Sequence, residues 1–198
     1  PSEVEAGVYF DSYETYLTVT AYDEFDNVIT DFSGGVTWST DDYNVDLSGV
    51  TGDGWNNGVN RFNASQFRLI WAGNRRLSVH HSSPEHGTVE AQVSIYVNSS
   101  DIHRFVVAAS DNTPTAGVPF SIQVYGAEDQ YGNNWDGWAE VSFVDGGQAQ
   151  SPDGTSAELA QFRIQGGDGS GPQTLTRAEP TVLQVTLGRL DSITRELQ

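Results

Sequence analysis

The chain contains no cysteine, no methionine and no lysine, and all nine of its basic residues are arginine. Without cysteine there are no disulfides, and without lysine there is no Lys-Asn isopeptide crosslink. Packing, hydrogen bonds and bound cations are the means of stabilisation that remain. The missing cysteine says little about compartment, because thiol-free domains occur both on bacterial surfaces and in the cytosol. No apolar run approaches the roughly 18 residues of a membrane span, and no charged-then-apolar leader opens the sequence. The expectation is a soluble segment with no membrane insertion, either mature or excised from something larger.

Positive charge is scarce as well: nine basic residues stand against 27 acidic ones, for a formal net charge of −18. A nucleic-acid partner is excluded, because phosphates require a basic face, and anionic membrane surfaces are disfavoured for the same reason. Such a charge attracts cations and repels itself, so the acids point either to bound Ca²⁺ or to a salty medium. Hydrophobic residues make up only 37% of the chain, and 21 glycines break them into short stretches. No segment has the period of a long amphipathic helix, which leaves an all-β protein.

What is present is duplicated. Ala21-Tyr22-Asp23-Glu24-Phe25-Asp26-Asn27 returns 106 positions on as Ala127-Glu128-Asp129-Gln130-Tyr131-Gly132-Asn133, and Glu5-Ala6-Gly7-Val8 is matched by Thr115-Ala116-Gly117-Val118. Gln66-Phe67-Arg68-Leu69 is echoed by Gln161-Phe162-Arg163-Ile164 at an offset of 95, which implies a longer insert in the first copy. A period near one hundred residues fits tandem, independently folded domains rather than a solenoid.

Alternating apolar positions predict strands over 16–22, 67–71, 77–79 and 89–97 in the first copy, with a polar stretch from Asp41 to Asn60. The second copy reads as strands over 102–107, 120–127, 141–143, 159–164, 174–176 and 181–187. Ala127 falls out of phase with Phe120, Ile122 and Val124, which predicts a β-bulge near Tyr125-Gly126. The expected fold is all-β, two antiparallel β-sandwiches over 1–98 and 99–188, with 189–198 a linker or the first strand of a further module. Ile193-Thr194-Arg195 resembles Ile102-His103-Arg104, whereas nothing equivalent opens the first copy. The first strand of that copy is therefore expected to be missing or supplied from elsewhere.

The run Thr115 to Ile122 followed by Ala127 to Asn133 resembles the bacterial Ig-like domains strung in tandem along large surface proteins, most of all the invasin and intimin type and its filamin-like relatives. The first copy departs from that pattern at Asp26, where the family has Gly. The resemblance implies two tandem Ig-like sandwiches and an extracellular or cell-surface location. The motif also has a purely structural reading. Gly132 supplies a positive φ, Asp23 and Asp129 accept backbone N–H bonds, and Phe25 and Tyr131 cover the open end of each sandwich.

Candidate sites follow from residue type. Calcium takes several oxygen ligands, which points to Asp41, Asp42, Asp46 and Asp53 in one polar stretch and to Asp101 at the junction. Trp38 aligns with Phe143 and Trp138 with Phe32, so both are packing residues, whereas Trp55 and Trp135 have no obvious core slot and are candidates for stacking on a glycan or a neighbouring subunit. His80, His81, His86 and Glu85 are placed in a loop, and adjacent histidines on a strand would point apart, which argues against zinc. Asn63-Ala64-Ser65 and Asn98-Ser99-Ser100 match the N-glycosylation pattern at Asn63 and Asn98. No nucleophile elbow, zinc-protease motif or phosphate loop occurs, so no enzyme is expected.

The expected function is a structural or adhesive segment of a long extracellular protein, such as a stalk, fibre or surface-layer subunit. Its expected partners are neighbouring Ig-like modules, further copies reached through edge strands, and a glycan or surface receptor. The contrasting expectation is a carbohydrate-binding or spacer module of a secreted enzyme.

Overall fold

The structure is a computed structural model that describes residues 1–83, 87–143, 161–175 and 183–188, without the side chains of residues 142 and 143. The chain divides into two compact units, Pro1–Ser100 and Asp101–Gln198. Both are all-β, and their two-sheet strand orders are those of Ig-like sandwiches.

The first unit holds β1 (Glu3–Glu5), β2 (Tyr16–Thr20), β3 (Thr37–Thr40), β4 (Gly52–Asn56), β5 (Val59–Asn63), β6 (Gly73–Ser83) and β7 (Gly87–Asn98). One sheet runs β1-β7-β6-β3 and the other β2-β5-β4. All pairs are antiparallel except β1 with β7, whose register is Glu3 to Tyr96, Val4 to Val97 and Glu5 to Asn98. The alternation read in the sequence sends Phe62, Leu77, Val79, Ile95 and Val97 inward, and Phe10, Phe67 and Leu69 fill the space between the sheets. Trp38 stands edge-on to Phe62 and Phe67, with ring centroids 5.2 and 4.9 Å away, so it is the packing residue that its alignment predicts. Each such large side chain contributes about 1.5–3 kcal/mol on burial.

Two expectations for this unit fail. The polar stretch contains β4 and leads into β5, because Asn60 faces inward yet satisfies itself by accepting from the Gly54 N–H at 3.1 Å. Residues 67–71 form a connection rather than a strand, entered through a short 3-10 turn at Ala64–Gln66 and touching Tyr9 by one isolated bridge at Arg68.

The second unit holds β8 (Ile102–Ala109), β9 (Pro119–Asp129), β10 (Gly137–Phe143), β11 (Gln161–Ile164), β12 (Gly169–Thr174) and β13 (Leu183–Gly188). Its sheets run β12-β9-β8 and β11-β10-β13. Phe120, Ile122, Val124, Ala127, Trp135, Ala139, Val141, Phe162 and Ile164 form its core. The predicted bulge is present: the β8–β9 register slips between Arg104–Glu128 and Val106–Tyr125, where Gly126 has φ +61°.

Several backbone bonds repeat between the two units. The N–H of Gly7 donates to Leu69 O at 2.8 Å and that of Gly117 to Leu175 O at 2.7 Å, each glycine at φ +79°. Ala21 N donates to Gly58 O and Ala127 N to Gly167 O, both at 2.9 Å. Ile29 N and Trp135 N return the next bond to Ala21 O and Ala127 O. These contacts make Leu175 the counterpart of Leu69 and β12 the counterpart of β5. The echo between Gln66–Leu69 and Gln161–Ile164 is therefore not a structural equivalence. The first follows β5, whereas the second is β11, which precedes β12 and pairs with β10. The longer insert assigned to the first copy falls with it.

Candidate functional surfaces

The turn motif shared by both units is built by one carboxylate. Asp23 Oδ1 accepts from the N–H groups of Phe25 and Asn27, each at 2.9 Å, and Asp129 Oδ1 accepts from Tyr131 and Asn133 at the same distance. The amide of the closing Asn then returns to the other carboxylate oxygen, at 3.1 Å from Asn27 and 2.8 Å from Asn133. Asp26 at φ +64° occupies the place of Gly132 at φ +83°, a conformation that Asp tolerates better than most residues. The side-chain bond from Asn27, then its backbone N–H, holds the Asp23 carboxyl below the ordinary carboxylate range. One expectation is corrected here: Phe25 covers nothing, being 74% exposed.

The proposed calcium ligands do not converge. Among the described residues no three His, Asp or Glu side chains stand close enough to hold a metal ion. Asp42 is fully buried, and its Oδ2 accepts from Ile70 N at 2.6 Å and Trp71 N at 2.9 Å. Arg75 grips the same connection from its carbonyl side, through Trp71 O at 2.9 Å and Ala72 O at 2.6 Å. Asp42 thus pins a core-crossing segment that would otherwise bury unpaired amides. Asp41 Oδ1 accepts from Arg76 N at 2.8 Å. Asp46 Oδ1 accepts from Ser48 N at 2.9 Å, and that backbone bond is the main cause of its lowered pKa. Asp53 lies exposed on β4 and Asp101 exposed just before β8.

The two candidate stacking tryptophans face inward. Trp135 is 1% exposed in the core of the second unit, at the position that Ile29 holds in the first. Trp55 is half-buried, donates its indole N–H to Gly34 O at 2.7 Å and meets Phe32 edge-on at 4.5 Å. Neither offers a platform. Sequence reasoning missed an aromatic pair with one exposed member: Tyr43, 77% exposed, lies over the half-buried Trp71 with centroids 5.3 Å apart and planes tilted by 36°. The signal available was Tyr43 itself, an aromatic within a run of acids and Asn.

His80 and His81 lie on β6, not in a loop, and point to opposite faces. His80 Nε2 meets Ser39 Oγ at 2.7 Å, while His81 Nδ1 donates to Gly35 O at 2.8 Å. His86 and Glu85 lie outside the described residues, as does the segment 189–198. Asn63 is exposed, and its Oδ1 accepts from Ser65 N at 2.9 Å, capping the 3-10 turn. Asn98 is half-buried and its Nδ2, the atom a glycan would take, donates to Glu3 Oε1 at 2.6 Å.

β2 pairs with β5 and, among the described residues, with no strand on its other side, whereas its counterpart β9 lies between β12 and β8. No helix among the described residues is long and apolar enough to cross a membrane.

No family model matches the chain, and no curated protein matches its sequence. Among solved structures it is similar to FdeC, described as a broadly conserved Escherichia coli adhesin, at 19% identity and a TM-score of 0.54 over 96% of this chain. The chain spans 57% of that structure, and at this identity the likeness shows the fold. It is also similar to the S-layer protein rSbsC at 15% identity, over 84% of this chain and 20% of that one, with a TM-score of 0.33 that is too low to bear on the fold.

Proposed function

We propose that this chain is a non-catalytic structural or adhesive segment of a long extracellular protein, carried at a cell surface as part of a stalk, fibre or surface layer. The modules would be Ig-like domains of the invasin and intimin type, with neighbouring modules of the same chain as their first partners. The observation that carries the reading is the pairing of β1 with β7. The first and last strands of unit one lie parallel and side by side, so a pull on its two ends loads the bonds between them in shear, all at once. Those bonds include Ala6 N to Asn98 O at 2.8 Å and Tyr96 N to Ser2 O at 3.0 Å. Such a path suits an element that bears tension. The adhesin likeness, the duplication and the acidic surface agree with it.

Labelling of intact cells tests the proposal. Antibody raised against the chain should stain unpermeabilised cells of the source organism, and protease added outside should remove the stain. Staining that needs permeabilisation would overturn the surface assignment.

The glycan-binding alternative rests on the Tyr43–Trp71 pair. Tyr43→Ala should abolish retention on a glycan array if the pair stacks on sugar, and should leave the fold intact because Tyr43 is mostly exposed.

A further inference from the structure

The sequence carries the N-glycosylation pattern at Asn63 and again at Asn98, and the fold presents the two side chains differently. Asn63 is the last residue of β5, where burial alternates along the chain. Phe62 and Ala64 are 1% and 0% exposed, whereas Asn63 and Ser65 are exposed. Ala64 is pinned through its own backbone, its N–H donating to Thr15 O and its carbonyl accepting from Phe67 N, each at 3.1 Å. That anchor turns both polar members of the pattern to solvent. Asn63 Oδ1 accepts from Ser65 N at 2.9 Å and from the Ser65 hydroxyl at 2.7 Å, which fixes the amide plane and leaves Nδ2 without a partner among the described residues.

Asn98 is the opposite case. It is half-buried, Ser100 is 6% exposed, and Nδ2 donates to Glu3 Oε1 at 2.6 Å. A sugar on that nitrogen would crowd Glu3 out of its bond.

A sugar on Asn63 instead meets an open face. Because Ala64 N bonds to Thr15 O, the next pair along the ladder, Tyr16 with Asn63, is a non-hydrogen-bonded one, in which facing side chains lie closest, with Cα atoms about 4.5 Å apart. Tyr16 is 44% exposed, and an aromatic ring offers the C–H side of a sugar a large apolar contact. Thr18 and Arg61 form the next facing pair on that side. Both are exposed, and they present a hydroxyl and a guanidinium to sugar oxygens.

We propose that Asn63 is an acceptor for an N-linked glycan, that Asn98 in the folded chain is not, and that the first sugar lies against Tyr16. The donor class is a lipid-linked oligosaccharide diphosphate. Nδ2 forms the bond to the anomeric carbon, and the bond from that carbon to the phosphate oxygen breaks. The diphosphate leaves with the electron pair, and one Nδ2 proton passes to a base of the transferase. This inference goes beyond the surface reading, and its test does not depend on it.

The folded 198-residue chain is incubated with an oligosaccharyltransferase that accepts Asn-X-Ser and with a lipid-linked donor whose first sugar is an N-acetylhexosamine. Peptide mass spectrometry then reads each site. Occupancy at Asn63 should exceed that at Asn98 at least tenfold, and Ser65→Ala should abolish it while the melting temperature stays within a few degrees. Free peptides of residues 60–67 and 95–102 should both be modified, which assigns the difference to the fold. On the purified glycoform, the acetyl methyl protons should be shifted upfield by the ring current of Tyr16 and return to their ordinary position in Tyr16→Leu. An unmodified Asn63, equal occupancy of the two sites in the folded chain, or refusal of the free 95–102 peptide would overturn the assignment. An acetyl signal indifferent to Tyr16→Leu would overturn the placement of the sugar.

Discussion

Trp135 and Asp42 show how the position of a residue, rather than its type, decides what it does. Trp135 reads as an aromatic with no obvious core slot, but it sits where Ile29 sits in the other copy, making the backbone bond that follows the turn Asp129 closes. The offset of 106 that links the two turn motifs carries straight through Ile29 and Trp135, so this core role was legible and was missed. Trp135→Ala should cost about 3–5 kcal/mol, read by denaturant titration, whereas an exposed stacking residue would cost almost nothing. Asp42 was not legible: its partners Ile70 and Trp71 lie 28 and 29 residues away, and no local pattern announces them. Asp42→Ala should lose about 1–3 kcal/mol for each amide left without an acceptor, and Asp42→Asn less, because an acceptor oxygen remains. Asp23 yields a prediction in pH. Its carboxyl is held below the ordinary range by Asn27, so its contribution is complete above that range and is lost as pH falls through the lowered value. Asn27→Ala should raise the Asp23 pKa toward the ordinary value in an NMR titration; an unchanged titration would contradict the assigned cause.

Turns and strands differ in how well a sequence announces them. The two closing turns, the Ala-Gly turns at Gly7 and Gly117 and the bulge at Gly126 were all legible, because each depends on residue types with a specific backbone demand. Gly132→Ala tests that dependence: a Cβ there meets nothing within 4 Å, so the expected loss of about 1–2 kcal/mol comes from the backbone at positive φ alone. A neutral result in a thermal melt would remove the conformational argument. Strands with little apolar content were not legible. β4 reads as Gly-Asp-Gly-Trp-Asn, and only pairing with β5 makes it a strand. The Gln-Phe-Arg echo misled for the complementary reason, since a short apolar-polar alternation suits any sheet, and β11 and the segment after β5 use it in different places. Which strand joins which sheet is decided by long-range packing that four residues cannot encode.

Two sandwiches with a formal charge of −18 must tolerate their own repulsion, and among the described residues no three of the acids and histidines stand close enough together to hold a metal ion. Millimolar Ca²⁺ and NaCl of matched ionic strength should therefore raise the melting temperature by similar amounts, with EDTA without effect. A rise specific to Ca²⁺ would restore a defined cation site. The central claim is that the chain is two copies of one module, the first of them paired at its ends so as to bear tension, and single-molecule force spectroscopy of the whole chain, held at its two ends, tests it most directly. With units of Pro1–Ser100 and Asp101–Gln198, the account predicts two separate unfolding events, each releasing nearly the extended length of its unit, about 33–36 nm. One event releasing the full length of the chain, or smooth extension without events, would contradict it.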